Sequence, residues 1–162
     1  MRKKDLVVEI LSELMKNSKI SDRMLAKKLG VWQSTVSRHR KKLEREGIIQ
    51  EYTLIPDFRK MGFEILLFHF LKLRADILTP NFLPQIIKYF GKFPQVILAI
   101  RVTGEWDVVA MSVHKSMSQA ASMIDMFSLD WKEFIEGDLT FYAVLRDEFI
   151  LKPFSLRYLA ET

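Results

Sequence analysis

Two glycines, each closing a short amphipathic segment, constrain the front of the chain more than any other feature. Ser21 opens the first segment with Asp22 behind it. A hydroxyl there accepts from a free amide of a helix start, and a carboxylate complements the helix dipole. Met24, Leu25 and Leu29 follow at helical spacing, so these three are the expected buried side. Gly30 stops the run, because glycine adopts the left-handed cap at little cost. Apolar periodicity resumes from Gln33 to Glu46 and ends at Gly47. Only two or three residues remain for the turn between the two helices. Upstream, Asp5–Lys16 places Leu6, Val7, Ile10, Leu11 and Leu14 on one helical side. Downstream, Ile48–Leu54 reads as a strand that Pro56 closes.

Three short helices, a tight turn between the last two and a following strand make the plan of a winged helix-turn-helix. A generic three-helix bundle shares the helices, and the surface of the third helix separates the two. With Val36 at zero and about 100° per residue, Leu43 falls beside Val36 on the buried stripe. Ser34, Arg38, Lys41 and Arg45 fall on the opposite side, flanked by Ser37 and Lys42. Short polar groups near a helix start reach base edges, and long cations reach phosphates. The candidate DNA-binding residues are therefore Gln33, Ser34, Thr35, Ser37, Arg38, Lys41, Lys42 and Arg45. Charge is distributed in the same sense. Residues 1–60 hold 15 Lys and Arg against 8 Asp and Glu, a balance of +7 within a chain whose net charge is +5.

The rest of the chain changes character. Phe63–Lys72 is almost continuously apolar, the pattern of a strand covered on both faces. Thr79–Phe90 carries Phe82, Leu83, Ile86, Ile87 and Phe90 at helical spacing, with Pro80 and Pro84 near its first turn, where proline is tolerated. Gln95–Thr103 and Asp107–His114 read as strands joined by the turn Gly104-Glu105-Trp106. Ser116–Phe127 reads as a helix burying Met117, Ala120, Ile124 and Phe127, and Asp138–Arg146 as a last strand. This strand-helix-strand-strand-helix-strand order is the ferredoxin-like split βαβ. Its helices cover one face of the sheet, so a strand apolar on both faces calls for a second sheet. A second copy of the chain is the economical source. The fold class expected is α+β: a winged helix-turn-helix over residues 1–60, then a ferredoxin-like βαββαβ dimerisation domain over 61–162.

The run from Ile20 to Val31, with Thr35-Val36-Ser37-Arg38 and Lys42–Ile49, resembles the leucine-responsive/asparagine regulator (Lrp/AsnC) family, also called feast/famine regulators. Lys60-Met61-Gly62-Phe63 is similar to that family's hinge, and Val102–Asp107 to its effector-domain turn, a Gly followed three residues later by Asp. The resemblance implies a DNA-binding transcription regulator acting as a homodimer, in many members assembled into octamers. It also implies control by a small effector, usually an amino acid. By position the effector-binding candidates are Gly104 and Asp107, with Glu105 and Trp106 beside them. The same pair is equally what a tight hairpin needs for its own geometry. Two positions depart from the family pattern. Trp32 stands where a Ser N-cap is usual, and an indole accepts no hydrogen bond from the backbone. Arg40 stands where a branched apolar residue is usual, with two outcomes open: reaching past the core to a phosphate, or loosening the packing.

Other classes fit less well. His39, His69 and His114 share no ligand spacing, and a P-loop, a GxGxxG fingerprint and an HExxH are all missing. Some haem-biosynthesis decarboxylases resemble this family in both halves, but their His-rich motif is missing here. No catalytic residue, metal site or cofactor is therefore expected. A non-specific architectural DNA binder is the remaining alternative, one that shows salt-dependent binding without a preferred sequence. The chain has no cysteine, no secretory signal and no apolar run long enough for a bilayer, so a cytoplasmic protein without a membrane partner is expected.

Overall fold

The computed structural model describes residues 3–161 apart from 78 and 80. The chain divides into two compact units, one formed by the residues up to Ile55 with those from Lys152 onward, the other by Pro56–Leu151. The division expected at 60/61 thus falls at 55/56, and the last eleven residues join the first unit rather than the second. Pro80, expected in a helix start, lies outside the described residues.

In the first unit α1 (Lys3–Lys16), α2 (Asp22–Leu29) and α3 (Gln33–Arg45) enclose Leu6, Ile10, Leu14, Leu25, Ala26, Val36 and Leu43. The ends of α2 are set locally. Ser21 Oγ accepts the Met24 amide at 3.3 Å, and Gly30 takes φ 65° while its N–H reaches the Ala26 carbonyl. Met24 is not buried as expected but 58% exposed, because the stripe that meets α3 runs through Leu25, Ala26 and Leu29 and leaves position 24 to one side. Gly47 closes α3 with φ 69°, and the Ile48 amide returns to the Leu43 carbonyl at 2.9 Å. The strand expected over Ile48–Leu54 is not formed. Among the described residues no strand lies alongside to form a ladder with it, and Ile48, Tyr52 and Leu54 stay exposed. A 3-10 turn at Leu156–Glu161 packs on α1, with Ser12 Oγ donating to the Ala160 carbonyl at 2.9 Å.

The second unit is an antiparallel sheet, β1 (Ile65–Leu73), β2 (Val96–Arg101), β3 (Val108–His114) and β4 (Ile135–Val144), in the spatial order β2-β3-β1-β4. With α4 (Leu83–Phe90) and α5 (Met117–Trp131) it makes the expected βαββαβ. Alternation along β1 sends Ile65, Leu67, His69, Leu71 and Leu73 under the helices. Two clusters fill that side, an aromatic-rich one of Phe82, Ile86, Tyr89, Phe127 and Trp131 around Leu71 and Leu73, and an aliphatic one of Ala120 and Met123 around Ile65 and Leu67. Leu83, Ile87 and Met117 are exposed against expectation. Tyr89 and Trp131, whose rings lie 4.9 Å apart, occupy the space instead and rotate α4 and α5 toward their aromatic sides. Buried among these helices, His69 Nε2 lies 3.2 Å from Asp138 Oδ2, and His114 Nε2 lies 2.8 Å from Ser112 Oγ. Burial holds both imidazoles below their usual pKa, and the Asp138 carboxylate only partly offsets this for His69.

The other face of the sheet carries Leu66, Phe68 and Phe70 from β1, opposite Ala143, Phe141 and Leu139 on β4 and Val113, Met111 and Val109 on β3. Leu98 and Ile100 continue it on β2. None of these side chains joins the clusters under α4 and α5, and the face is open at Leu98, Ile100, Leu139 and Phe141, while Val113 is buried. No described helix is long and apolar enough to cross a membrane.

Candidate nucleic-acid interface

The third helix is held by its buried side and presents the rest. Val36, His39 and Leu43 face inward, whereas Gln33, Ser34, Arg38, Lys41, Lys42 and Arg45 are exposed and Thr35 and Ser37 half-buried. Six of the eight sequence-predicted residues are thus exposed on one helix, while Thr35 and Ser37 flank them half-buried. Lys42 is ion-paired with Glu46 at 3.5 Å. Among the described residues Arg38, Lys41 and Arg45 have no carboxylate partner, so three cations close together on one helix lack internal compensation. Such charge raises the local potential and favours a polyanion.

The approach of α2 to α3 is fixed by Arg40. Its Nη2 donates to the Ile20 carbonyl at 2.9 Å, and its Nε lies 3.1 Å from Asp22 Oδ1, with both side chains mostly buried. Arg40 thus neither reaches outward for a phosphate nor loosens the packing. It ties the start of α2 to the middle of α3 and so sets the angle of the helix-turn-helix. Its guanidinium also lies 5.8 Å from the ring centre of Tyr52. The Tyr52 hydroxyl donates to Glu44 Oε1 at 2.7 Å, and burial first, then that carboxylate, push its pKa up to about 12. These contacts hold the strandless segment after α3 against the helix. The spacing of Asp22 and Arg40 carries the only sequence signal for this clamp, a charge at each of two positions that face one another across the turn.

At the start of α3, Trp32 is the N-cap residue, with φ −73° and ψ 142°, and no side chain caps the helix. Relative to Ser, Thr, Asn or Asp this forgoes about 1 kcal/mol of helix stability. The indole is 83% exposed.

The other predicted cluster, Gly104–Asp107, joins β2 to β3. Gly104 has φ 136°, a conformation side-chain-bearing residues rarely adopt. The Asp107 amide donates to the Leu71 carbonyl at 2.8 Å, and its carboxylate accepts the Leu73 amide at 2.9 Å and lies 3.4 Å from Lys72 Nζ. Trp106 meets Phe70 edge-on at 6.3 Å on the uncovered sheet face, and Glu105 is exposed. The carboxylate thus braces the turn against β1. Among the described residues no group of three or more His, Asp or Glu is placed to hold a metal ion.

Comparison with known proteins agrees with this geometry. The model of the winged helix-turn-helix DNA-binding family matches residues 4–50. An uncharacterised HTH-type transcriptional regulator of Pyrococcus abyssi is 27% identical over 150 residues, 92% of this chain and 98% of that one. The transcriptional regulator AzlB of Bacillus subtilis is 30% identical over 115 residues, 71% of this chain and 72% of its own. Among solved structures, an AsnC family transcriptional regulator from Agrobacterium tumefaciens superposes with a TM-score of 0.76 at 20% identity, covering 98% of this chain and 99% of that one. A transcriptional regulator of Neisseria meningitidis, solved as a complex with L-Met, does so with a TM-score of 0.75 at 19% identity, covering 98% and 99%. With a helix-turn-helix whose outer side is cationic and a ferredoxin-like second unit, the chain belongs to the Lrp/AsnC family of DNA-binding transcription regulators.

Proposed function

We propose that the chain is a sequence-specific regulator that binds as a homodimer, with the exposed side of α3 in the major groove. The observation that carries this is the set Arg38, Lys41 and Arg45, unpaired among the described residues, beside Ser34 and Ser37. Gln33, Ser34, Thr35 and Ser37, near the helix start, contact base edges. Arg38, Lys41, Lys42 and Arg45 contact phosphates. Two copies joined through the uncovered apolar sheet face present two such helices, and the site read is pseudo-palindromic. Further assembly to an octamer would repeat that unit.

The test is binding of a selected duplex across a salt series. An Arg38→Ala, Lys41→Ala variant should bind more weakly and lose about 2 from the slope of log K against log salt, roughly 0.9 for each phosphate contact removed. Unchanged affinity and slope would remove these residues from the interface. Selection from random duplexes without enrichment would support an architectural binder instead.

The turn at Gly104–Asp107 is the proposed effector site, with Glu105 and Trp106 at its edge and an amino acid as the ligand class. A fold neighbour solved with L-Met supports that class. Titration calorimetry against the twenty amino acids tests it, and no heat from any of them would point to an effector-free member.

A further inference from the structure

Among the described residues of α1–α3 and their connections, Trp32 exposes its side chain more than any other large apolar residue. It does little for the free protein. The indole joins no part of the first unit's core, makes no ring contact among the described residues and leaves α3 uncapped. It is also next in the chain to Gln33 and Ser34, at the end of α3 that a helix-turn-helix brings to base edges. A large apolar surface kept in water at that position has its use in the complex. In the major groove the apolar group that base pairs offer is the C5 methyl of thymine.

We infer that Trp32 is a specificity-determining residue that packs against a thymine methyl in each half-site. The inference rests on the proposed docking of α3 in the major groove. It adds a preference for thymine at one position of each half-site, carried by van der Waals contact and desolvation rather than by hydrogen bonds. Because Trp32 is the cap residue, stability and recognition pull in opposite directions there. Serine would serve the helix better and the DNA worse.

That opposition supplies the test. The full chain, Trp32→Ser and Trp32→Phe are titrated with the duplex that the parent selects from a random pool. Each is also titrated with duplexes in which single thymines are replaced by deoxyuridine, which deletes only the methyl. For the parent, one such replacement per half-site should weaken binding about fourfold, the effect of removing one buried methyl group. Trp32→Ser should bind the thymine duplex on the order of tenfold more weakly, lose nothing further at that deoxyuridine, and unfold at the parent's temperature or above. Trp32→Phe, which keeps an apolar ring, should fall between the two. Parental affinity in Trp32→Ser, or a deoxyuridine penalty that Trp32→Ser retains at every thymine, overturns the assignment while leaving the docking of α3 intact. A parent that selects no preferred duplex refutes sequence-specific docking, and the thymine contact falls with it.

Discussion

Phe141 on β4 is the most direct probe of the proposed pairing of two copies. It lies opposite Phe68 in the β1–β4 register, on the uncovered sheet face, and is 54% exposed. Since a phenylalanine side chain offers roughly 200 Å² in all, about 100 Å² of each Phe141 meets water in a single chain. A twofold interface buries that area twice, once for each copy. Truncation to alanine removes about two-thirds of it, on the order of 140 Å² per dimer. At about 25 cal/mol per Å² this is about 3.5 kcal/mol, or roughly three hundredfold in the dimer dissociation constant. Sedimentation over a concentration series, from micromolar to nanomolar, reads that constant directly. Far-ultraviolet circular dichroism of the same samples checks that the sheet is retained. If Phe141→Ala dissociates within threefold of the parent, this face is not where two copies meet, and the reasoning from its apolar character is refuted.

Arg40→Ala leaves the mostly buried Asp22 carboxylate unpaired and should cost about 3 kcal/mol in urea unfolding; equal cost in an Asp22→Asn background would show that the pair is uncoupled. His69 and His114 titrate below their ordinary 6.5 in the folded chain, so the unfolded chain takes up protons first as pH falls. Their contribution to stability is therefore complete above about 6.5 and is lost as pH drops through the lower folded values. Chemical unfolding from pH 7.5 to 5 should show this, and a flat profile would contradict it. Asp107→Asn retains an oxygen able to accept from the Leu73 amide, so it should fold at nearly the parent's stability, whereas Asp107→Ala should lose about 1–2 kcal/mol. If the turn binds an amino acid through its carboxylate, calorimetry should find Asp107→Asn silent despite its intact fold.

Features determined within a few residues are legible in the sequence itself. The caps at Ser21, Gly30 and Gly47 depend on local backbone and side-chain geometry, and so does the cationic side of α3. The order of strands and helices after Phe63 follows from apolar periodicity in the same way. What is not legible depends on partners distant in the chain. Ile48–Leu54 has the composition of a strand but, among the described residues, no neighbour to pair with. Exposure of Ile87 and burial of Tyr89 are decided by the arrival of Trp131, more than forty residues further on. Arg40 reads as a flaw in an apolar stripe unless Asp22 and the Ile20 carbonyl are known to surround its guanidinium. In the turn between β2 and β3, spacing alone marks Gly104 and Asp107, while the second attachment of Asp107, to the Leu73 amide, depends on β1 lying alongside.

The segment from Lys152 that packs on α1 makes the first unit discontinuous in the chain, so the peptide leaves that unit at Ile55 and re-enters it at Lys152. The DNA-reading unit is consequently strung on two covalent threads and not one. The chain passes between the units at two places, 55–56 and 151–152. Cleavage at a protease site engineered at Leu151 would leave a single covalent connection, at Pro56, with the segment from Lys152 held to the first unit by packing alone.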